Sequence, residues 1–149
     1  MSIVATGPMH RCMNQEAILS PMAAQVGLTF LVLMQVPLRR FRASFAGKVG
    51  PDDFKLGESD RVPPDVAIPN RNLMNLLEMP MLFYVACVTL YVTKAADPMA
   101  LELAWTYVGL RVVHSAVHLT YNKVVHRLIA FAASNVVLGV IWTRWIVTR

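Results

Sequence analysis

The chain has 149 residues, of which 56% are hydrophobic and 15% are charged, and its formal net charge at pH 7 is +5. Soluble domains carry nearer ~25% charged residues, so this composition excludes a typical water-soluble protein and favours one that spans a lipid bilayer. The basic residues are not interleaved with aromatic ones, so no nucleic-acid partner is predicted, and anionic lipid headgroups are the expected neighbours.

Four apolar stretches are long enough to cross a membrane as helices, because ~20 residues span the hydrocarbon core. They are residues 17–38, 73–92, 99–120 and 128–147. A soluble all-α bundle is the alternative, but the first and last stretches are apolar all round and would not tolerate water on one face. The predicted fold class is therefore an all-α membrane protein, a four-transmembrane-helix bundle. Residues 1–16 are predicted to be a loose tail, and residues 17–149 a single transmembrane domain.

The connection over residues 39–70 is rich in proline and mixes acidic with basic residues. It is therefore predicted to be an ordered polar loop with little regular structure. Basic residues concentrate in this connection and in the third, whereas the second has only Lys94. Because Lys and Arg of short loops stay in the cytoplasm, both termini are predicted to lie on the non-cytoplasmic side. Aromatic residues predicted to anchor the outer helix ends are Trp105, Tyr107, Trp142 and Trp145.

Polar residues interrupt the second stretch at a helical spacing. Arg71, Asn75 and Glu78 fall at i, i+4 and i+7, so they share one face of a helix. Ionisable side chains are costly inside a membrane, so this face is expected to contact protein, a wet cavity or a polar ligand. The stripe is therefore a candidate binding surface.

The third stretch carries a second polar stripe. Arg111, His114 and His118 fall at i, i+3 and i+7. The predicted topology places both stripes in the cytoplasmic half of the membrane, and an ion pair of Glu78 with Arg111 is expected. The two histidines lack a further ligand on that face, so no metal site is predicted.

These motifs together resemble the MAPEG family, membrane-associated proteins in eicosanoid and glutathione metabolism. The resemblance rests on R-x-x-x-N-x-x-E at residues 71–78, followed by R-x-x-H at residues 111–114, and on the segment from Tyr121 to Arg127. It covers roughly residues 18–147 and is closer to the short bacterial members, which implies a bacterial inner membrane. The family resemblance implies a homotrimer with glutathione bound between neighbouring subunits near the cytoplasmic face.

The resemblance also implies roles for individual residues, carried over by position. The arginine that stabilises the glutathione thiolate in catalytic members matches Arg127, with Arg111 as a second catalytic candidate. The implied glutathione-binding residues are Arg71, Asn75, Glu78, His114 and His118. The chain departs from the better-studied enzymes at Met74, at His118, which stands where they have a tyrosine, and at Leu128, where they have a serine.

The function implied is a glutathione-dependent membrane transferase or peroxidase acting on lipophilic electrophiles or lipid hydroperoxides. Glutathione carries two carboxylates and one ammonium group, which arginines and a glutamate complement. Its thiol has a pKa of about 8.5, so a nearby guanidinium would favour the attacking thiolate. The alternative is a non-catalytic trimeric membrane scaffold or lipid-binding protein, whose polar cluster serves assembly alone.

Overall fold

The computed structural model describes residues 14–148, and this part of the chain forms four α-helices and no strand. The helices are α1 (Leu19–Phe45), α2 (Pro64–Val92), α3 (Pro98–Leu119) and α4 (Val124–Val147). Two short 3-10 helices accompany them, Gln15–Ile18 before α1 and Pro51–Phe54 in the α1–α2 connection. The predicted all-α, four-helix fold is confirmed.

The helices present an apolar surface. Within the described residues, three helical segments are long and apolar enough to cross a membrane, namely Gln15–Phe45, Pro64–Val92 and Val124–Val147. Helix α3 is not among them, because Glu102, Arg111, His114 and His118 interrupt its apolar sequence, but its 22 residues still reach roughly 33 Å. Large side chains such as Leu31 and Ile129 are more than half exposed. The chain is therefore an integral membrane protein.

The helices alternate in direction, with α1 packed mainly on α2 and α3 mainly on α4. The core lies between α2, α3 and α4, where the Phe83 ring stacks on Tyr107 with centroids 4.3 Å apart, near Leu138 and Ile141. Alternation puts the connections 46–63 and 120–123 at one end of the bundle, which we call the basic end. The α2–α3 connection lies at the other end, which we call the closed end.

The closed end is tied together by side chains from three parts of the chain. The Gln15 amide exchanges two hydrogen bonds with the backbone of Ala96, at 3.1 and 3.0 Å. Arg144 of α4 pairs with Asp97 at 2.6 Å. Of the tail predicted over residues 1–16, residues 1–13 lie outside the described part. Residues 14–16 belong to the fold, because Asn14 caps the first 3-10 helix.

The α1–α2 connection is shorter than the sequence predicts. Helix α1 continues to Phe45 and α2 begins at Pro64, so helix replaces the expected loop at residues 39–45 and 64–70. Proline is tolerated at the first helical position, where no N–H is needed. Pro69 cannot donate to the carbonyl of Asp65, but the Arg39 guanidinium donates to that carbonyl instead, at 3.0 Å. The prediction of little regular structure is therefore wrong for these two segments.

Candidate functional site

Arg127 lies in the first turn of α4, and its guanidinium is held from two sides. Its Nη1 donates to Nε2 of His118 at 2.8 Å and to Oδ1 of Asn122 at 2.9 Å. Because a guanidinium can only donate, His118 Nε2 must be the acceptor, which puts the ring proton on Nδ1. Asn122 has φ 47, in the left-handed region that asparagine tolerates better than most residues. The turn between α3 and α4 thus fixes the position of this cation.

His114 lies one helical turn before His118 and contacts the same segment of α4. Its Nδ1 lies 3.0 Å from the backbone carbonyl oxygen of Arg127, which can only accept, so Nδ1 carries the proton. Nε2 is consequently the unprotonated nitrogen, and it has no hydrogen-bond partner among residues 14–148. Nε2 is itself fully buried, so among these residues it is an unsatisfied acceptor inside the bundle and is not open to solvent.

These residues line a cavity of about 190 Å³ at the basic end, between α2, α3 and α4. Its lining consists of Asn75, His114, Val124, Arg127, Leu128 and Phe131. Polar groups and an apolar wall therefore meet in one place. Sites for small molecules usually enclose ~300–1,000 Å³, so this groove on one chain accommodates only part of such a ligand.

Arg111 lies deeper and is fully buried. Its Nε donates to the Tyr107 hydroxyl at 3.1 Å, its Nη2 lies 3.5 Å from Oδ1 of Asn135, and its guanidinium sits 4.9 Å from the Phe131 ring centroid. The expected ion pair with Glu78 is not formed, and that prediction is wrong for the single chain: Glu78 is exposed, and the ion pairs of residues 14–148 lie elsewhere. Glu78 lies on an exposed face of α2, whereas Arg111 is enclosed by Tyr107 and Phe131.

The structure brings together some of the predicted site residues and separates others. Asn75, His114 and Arg127 line the cavity. His118 does not line it but contacts the Arg127 guanidinium. Arg71 and Glu78, in contrast, are exposed on α2 and do not line the cavity. The polar stripe of α2 therefore faces mainly outward from its own chain.

Sequence reasoning missed several polar residues of this region. Asn72 is fully buried, accepts a hydrogen bond from Ser115 at 3.4 Å, and leaves its Nδ2 without a partner among the described residues. Tyr107, predicted to be an interfacial anchor, is fully buried, so that prediction is wrong. The available signal was its position four residues before Arg111, which puts both on one helical face.

Comparison with known proteins gives one family. The model of the MAPEG family matches residues 18–147, which include all four α-helices and every residue lining the cavity. No curated protein and no solved structure gives a match. The family resemblance stated from the sequence motifs is confirmed over the span expected.

Proposed function

Because this chain belongs to the MAPEG family, we propose that it is a glutathione-dependent membrane transferase or peroxidase acting on lipophilic electrophiles or lipid hydroperoxides. The observation that best supports this proposal is the fixed guanidinium of Arg127 at the wall of the 190 Å³ cavity. A cation held in place beside a cavity stabilises negative charge there without reorganising during the reaction.

Glutathione supplies the thiolate, which displaces a leaving group from an electrophilic carbon or adds to an activated double bond. With a hydroperoxide it cleaves the O–O bond and releases the lipid alcohol, and a second glutathione converts the resulting sulfenic acid into the disulfide and water. Arg127 favours the thiolate over the thiol, which otherwise predominates at neutral pH because its pKa is about 8.5. His114 lines the same cavity, where the contact of its Nδ1 with the Arg127 carbonyl ties the ring to the start of α4. Val124, Leu128 and Phe131 form an apolar wall suited to a hydrophobic substrate that arrives from the bilayer.

A neighbouring copy of the chain would complete this site. The groove of about 190 Å³ lies below the usual size for a small-molecule site, and Arg71 and Glu78 are exposed outside it. In a homotrimer, the outward-facing stripe of α2 would meet a neighbouring groove. It would then supply a cation for a glutathione carboxylate and a carboxylate for the ammonium group.

The proposed location is a bacterial inner membrane, with the basic end in the cytoplasm and both termini on the other side. Support comes from the charge distribution, since Lys48, Lys55, Arg61 and Lys123 all lie in connections at the basic end, whereas the connection at the closed end has Lys94. Basic residues of short loops are retained in the cytoplasm. Glutathione from the cytoplasm would then enter the cavity directly.

The test uses purified protein in detergent with glutathione and a panel of hydrophobic electrophiles and lipid hydroperoxides. We expect turnover, together with a glutathione-dependent rise in melting temperature, because a ligand that binds only the folded state stabilises it. Folded protein that binds glutathione but turns over none of these substrates would contradict the catalytic proposal.

A non-catalytic trimeric scaffold or lipid-binding protein is the second candidate. It is favoured by the enclosure of Arg111 among side chains of its own chain and by Leu128, which offers no hydroxyl at the cavity. This candidate predicts that Glu78→Gln disperses the oligomer in detergent while glutathione leaves the melting temperature unchanged. A clear thermal shift with glutathione would eliminate it.

A further inference from the structure

A second polar cavity lies at the basic end, between the end of α1 and the start of α2. Its volume is about 240 Å³, and it is lined by Arg39, Arg42, Ala43, Ala46, Lys48, Asp65 and Val66. It shares no lining residue with the cavity at Arg127. Its chemistry can therefore be considered separately from the proposed catalytic function.

The charges around this cavity are unbalanced. Three cations, Arg39, Arg42 and Lys48, face one carboxylate, that of Asp65. None of the three belongs to an ion pair with a residue of the described part of the chain, where the pairs are Arg40–Glu58 and Arg144–Asp97. Arg39 does donate from Nη1 to the Asp65 backbone carbonyl, which anchors the guanidinium at the cavity wall without neutralising it.

The start of α2 adds to this positive potential. Asp65 and Val66 belong to the first turn of the helix, where Pro64 has no N–H and the Val66 N–H already bonds to the Pro63 carbonyl at 2.9 Å, so the helix contributes its dipole more than free donors. The positive end of a helix dipole favours anions within about one turn. Two independent features, the basic side chains and the helix terminus, therefore attract an anion to the same cavity.

A line of exposed apolar side chains leads from this cavity along α1. Leu31, Met34 and Leu38 precede Arg42 at spacings of three, four and four residues, so all four lie on one face of the helix. The three apolar residues are 67%, 53% and 62% exposed. A molecule with its anionic group at Arg42 could therefore lay an apolar chain along this face.

We propose that this cavity binds the phosphate of an anionic membrane phospholipid, with an acyl chain against the exposed face of α1. Arg39 and Arg42 provide the planar donors that bind phosphate oxygens in pairs, and Lys48 adds a point charge. The position at the polar end of an apolar helix matches the depth of a lipid headgroup. The proposal names particular phosphate-binding residues in a defined cavity, and in this it differs from a general attraction of the basic face to the membrane.

The test compares two double variants of the full-length protein in zwitterionic detergent. R42Q/K48Q removes two cations from the cavity, whereas K55Q/R61Q removes two exposed cations of the same connection that do not line it. Each protein is titrated with phosphatidylglycerol, phosphatidylcholine or inorganic phosphate. Bound lipid is measured by native mass spectrometry and stabilisation by the melting temperature.

Phosphatidylglycerol should bind and stabilise the unmodified chain, and R42Q/K48Q should weaken its binding about 30-fold, since each basic residue at an anionic surface contributes roughly five-fold. K55Q/R61Q should weaken it several-fold less. Asp65→Asn should strengthen it, because the opposing carboxylate is removed. This last variant gains affinity, so its result does not depend on damage to the fold.

Several results would overturn the proposal. Equal losses in both double variants would mean diffuse surface attraction, and equal stabilisation by phosphatidylcholine would mean apolar contact alone. Stabilisation by inorganic phosphate to the same extent would assign the cavity to a free anion. If R42Q/K48Q abolished stabilisation by glutathione instead, the cavity would belong to the thiol site of a neighbouring copy.

Discussion

The two ends of this bundle differ in how completely their cations are paired. At the closed end, charged and polar groups pair with one another: Arg144 with Asp97, the Gln15 amide with the Ala96 backbone, and the Trp145 indole with Thr93. At the basic end, Arg40 pairs with Glu58, but Arg127 has only neutral partners, and buried nitrogens of His114 and Asn72 lack partners among residues 14–148. The paired groups at the closed end stabilise the fold, whereas the unpaired cation at the basic end is available to bind a ligand.

That distinction is physical. A polar group in a membrane protein costs free energy unless its hydrogen bonds are satisfied, so a purely structural network evolves towards balanced charge and complete pairing. The connection and helix ends at the closed end meet this condition, although both amide atoms of buried Gln25, further along α1, lack a partner among the described residues. The basic end retains a positive surplus, which a carboxylate, thiolate or phosphate would neutralise. Four predictions test whether the two ends differ in this way.

The largest effect is expected from removing the fixed cation. Arg127→Ala should lower glutathione turnover by about 10²–10³, the usual loss when one preorganised donor to a developing anion is removed. Arg144→Ala makes the same change in charge at the closed end and serves as the matched control. It should leave turnover unchanged and lower stability by about 0.2–1 kcal/mol, the contribution of an exposed ion pair.

Steady-state kinetics and thermal unfolding of both variants provide the measurement. Equal losses of turnover in Arg127→Ala and Arg144→Ala would mean that activity follows general stability and would remove the functional contrast between the ends.

The second prediction concerns the buried guanidinium of Arg111. Tyr107→Phe removes the hydroxyl that accepts from Nε at 3.1 Å and leaves a buried charged donor without its partner. We expect a loss of about 1–3 kcal/mol in the free energy of unfolding. Tyr84→Phe removes a hydroxyl from a half-buried ring beside Phe83 and should cost less. Equal melting temperatures for the two variants would contradict a role of Tyr107 in holding Arg111.

The third prediction concerns the two side chains that hold Arg127. His118→Phe and Asn122→Gly each remove one acceptor from the Nη1 group, and glycine at 122 keeps the left-handed backbone. Each should lower kcat by about ten-fold, close to the energy of one hydrogen bond to a charged group, with little change in the KM for glutathione. His118→Gln keeps an acceptor and should recover part of the loss.

Tyr121→Phe is the control, since its hydroxyl contacts His126 and not Arg127. If His118→Phe and Tyr121→Phe had the same kinetics, Arg127 would not depend on His118 for its position.

The sequence predicts much of this arrangement because helical spacing reports which residues share a face. The four helices follow from hydropathy, spacing and topology put Asn75 and His114 at a common depth, and the family resemblance adds Arg127. Spacing does not report how far one helix rotates against the next, so the pairing of Arg111 with Glu78 was predicted wrongly. Likewise, the role of Asn122 depends on a backbone turn, and helix over residues 64–70 depends on Arg39 satisfying a carbonyl from 26 positions away.

The smallest expected effect tests why cations at the basic end remain free. One acidic residue of the α1–α2 connection has its hydrogen bonds within that connection. Asp53 accepts from the Gly50 N–H at 2.9 Å and from the Ser59 hydroxyl at 2.7 Å. These two hydrogen bonds, with a smaller contribution from the charge of Arg61, lower the pKa of Asp53 below its ordinary value of 3.8. A carboxylate whose pKa is lowered by folding stabilises the fold above its unfolded pKa, and that contribution is lost as the pH falls through the folded value.

Asp53→Asn should therefore lower the melting temperature slightly at pH 7, and the difference from the unmodified chain should close as the pH falls through the folded pKa, below which the aspartate is protonated in both states. Thermal unfolding across this range measures the difference between the two proteins, so the titration of other carboxyl groups cancels. A gap that widened towards acid would reverse the sign and contradict the argument. If the gap closes as expected, the Asp53 carboxylate is stabilised by hydrogen bonds within its own loop. It then does not need Arg39, Arg42 or Lys48 as a partner, and these cations remain available to a ligand.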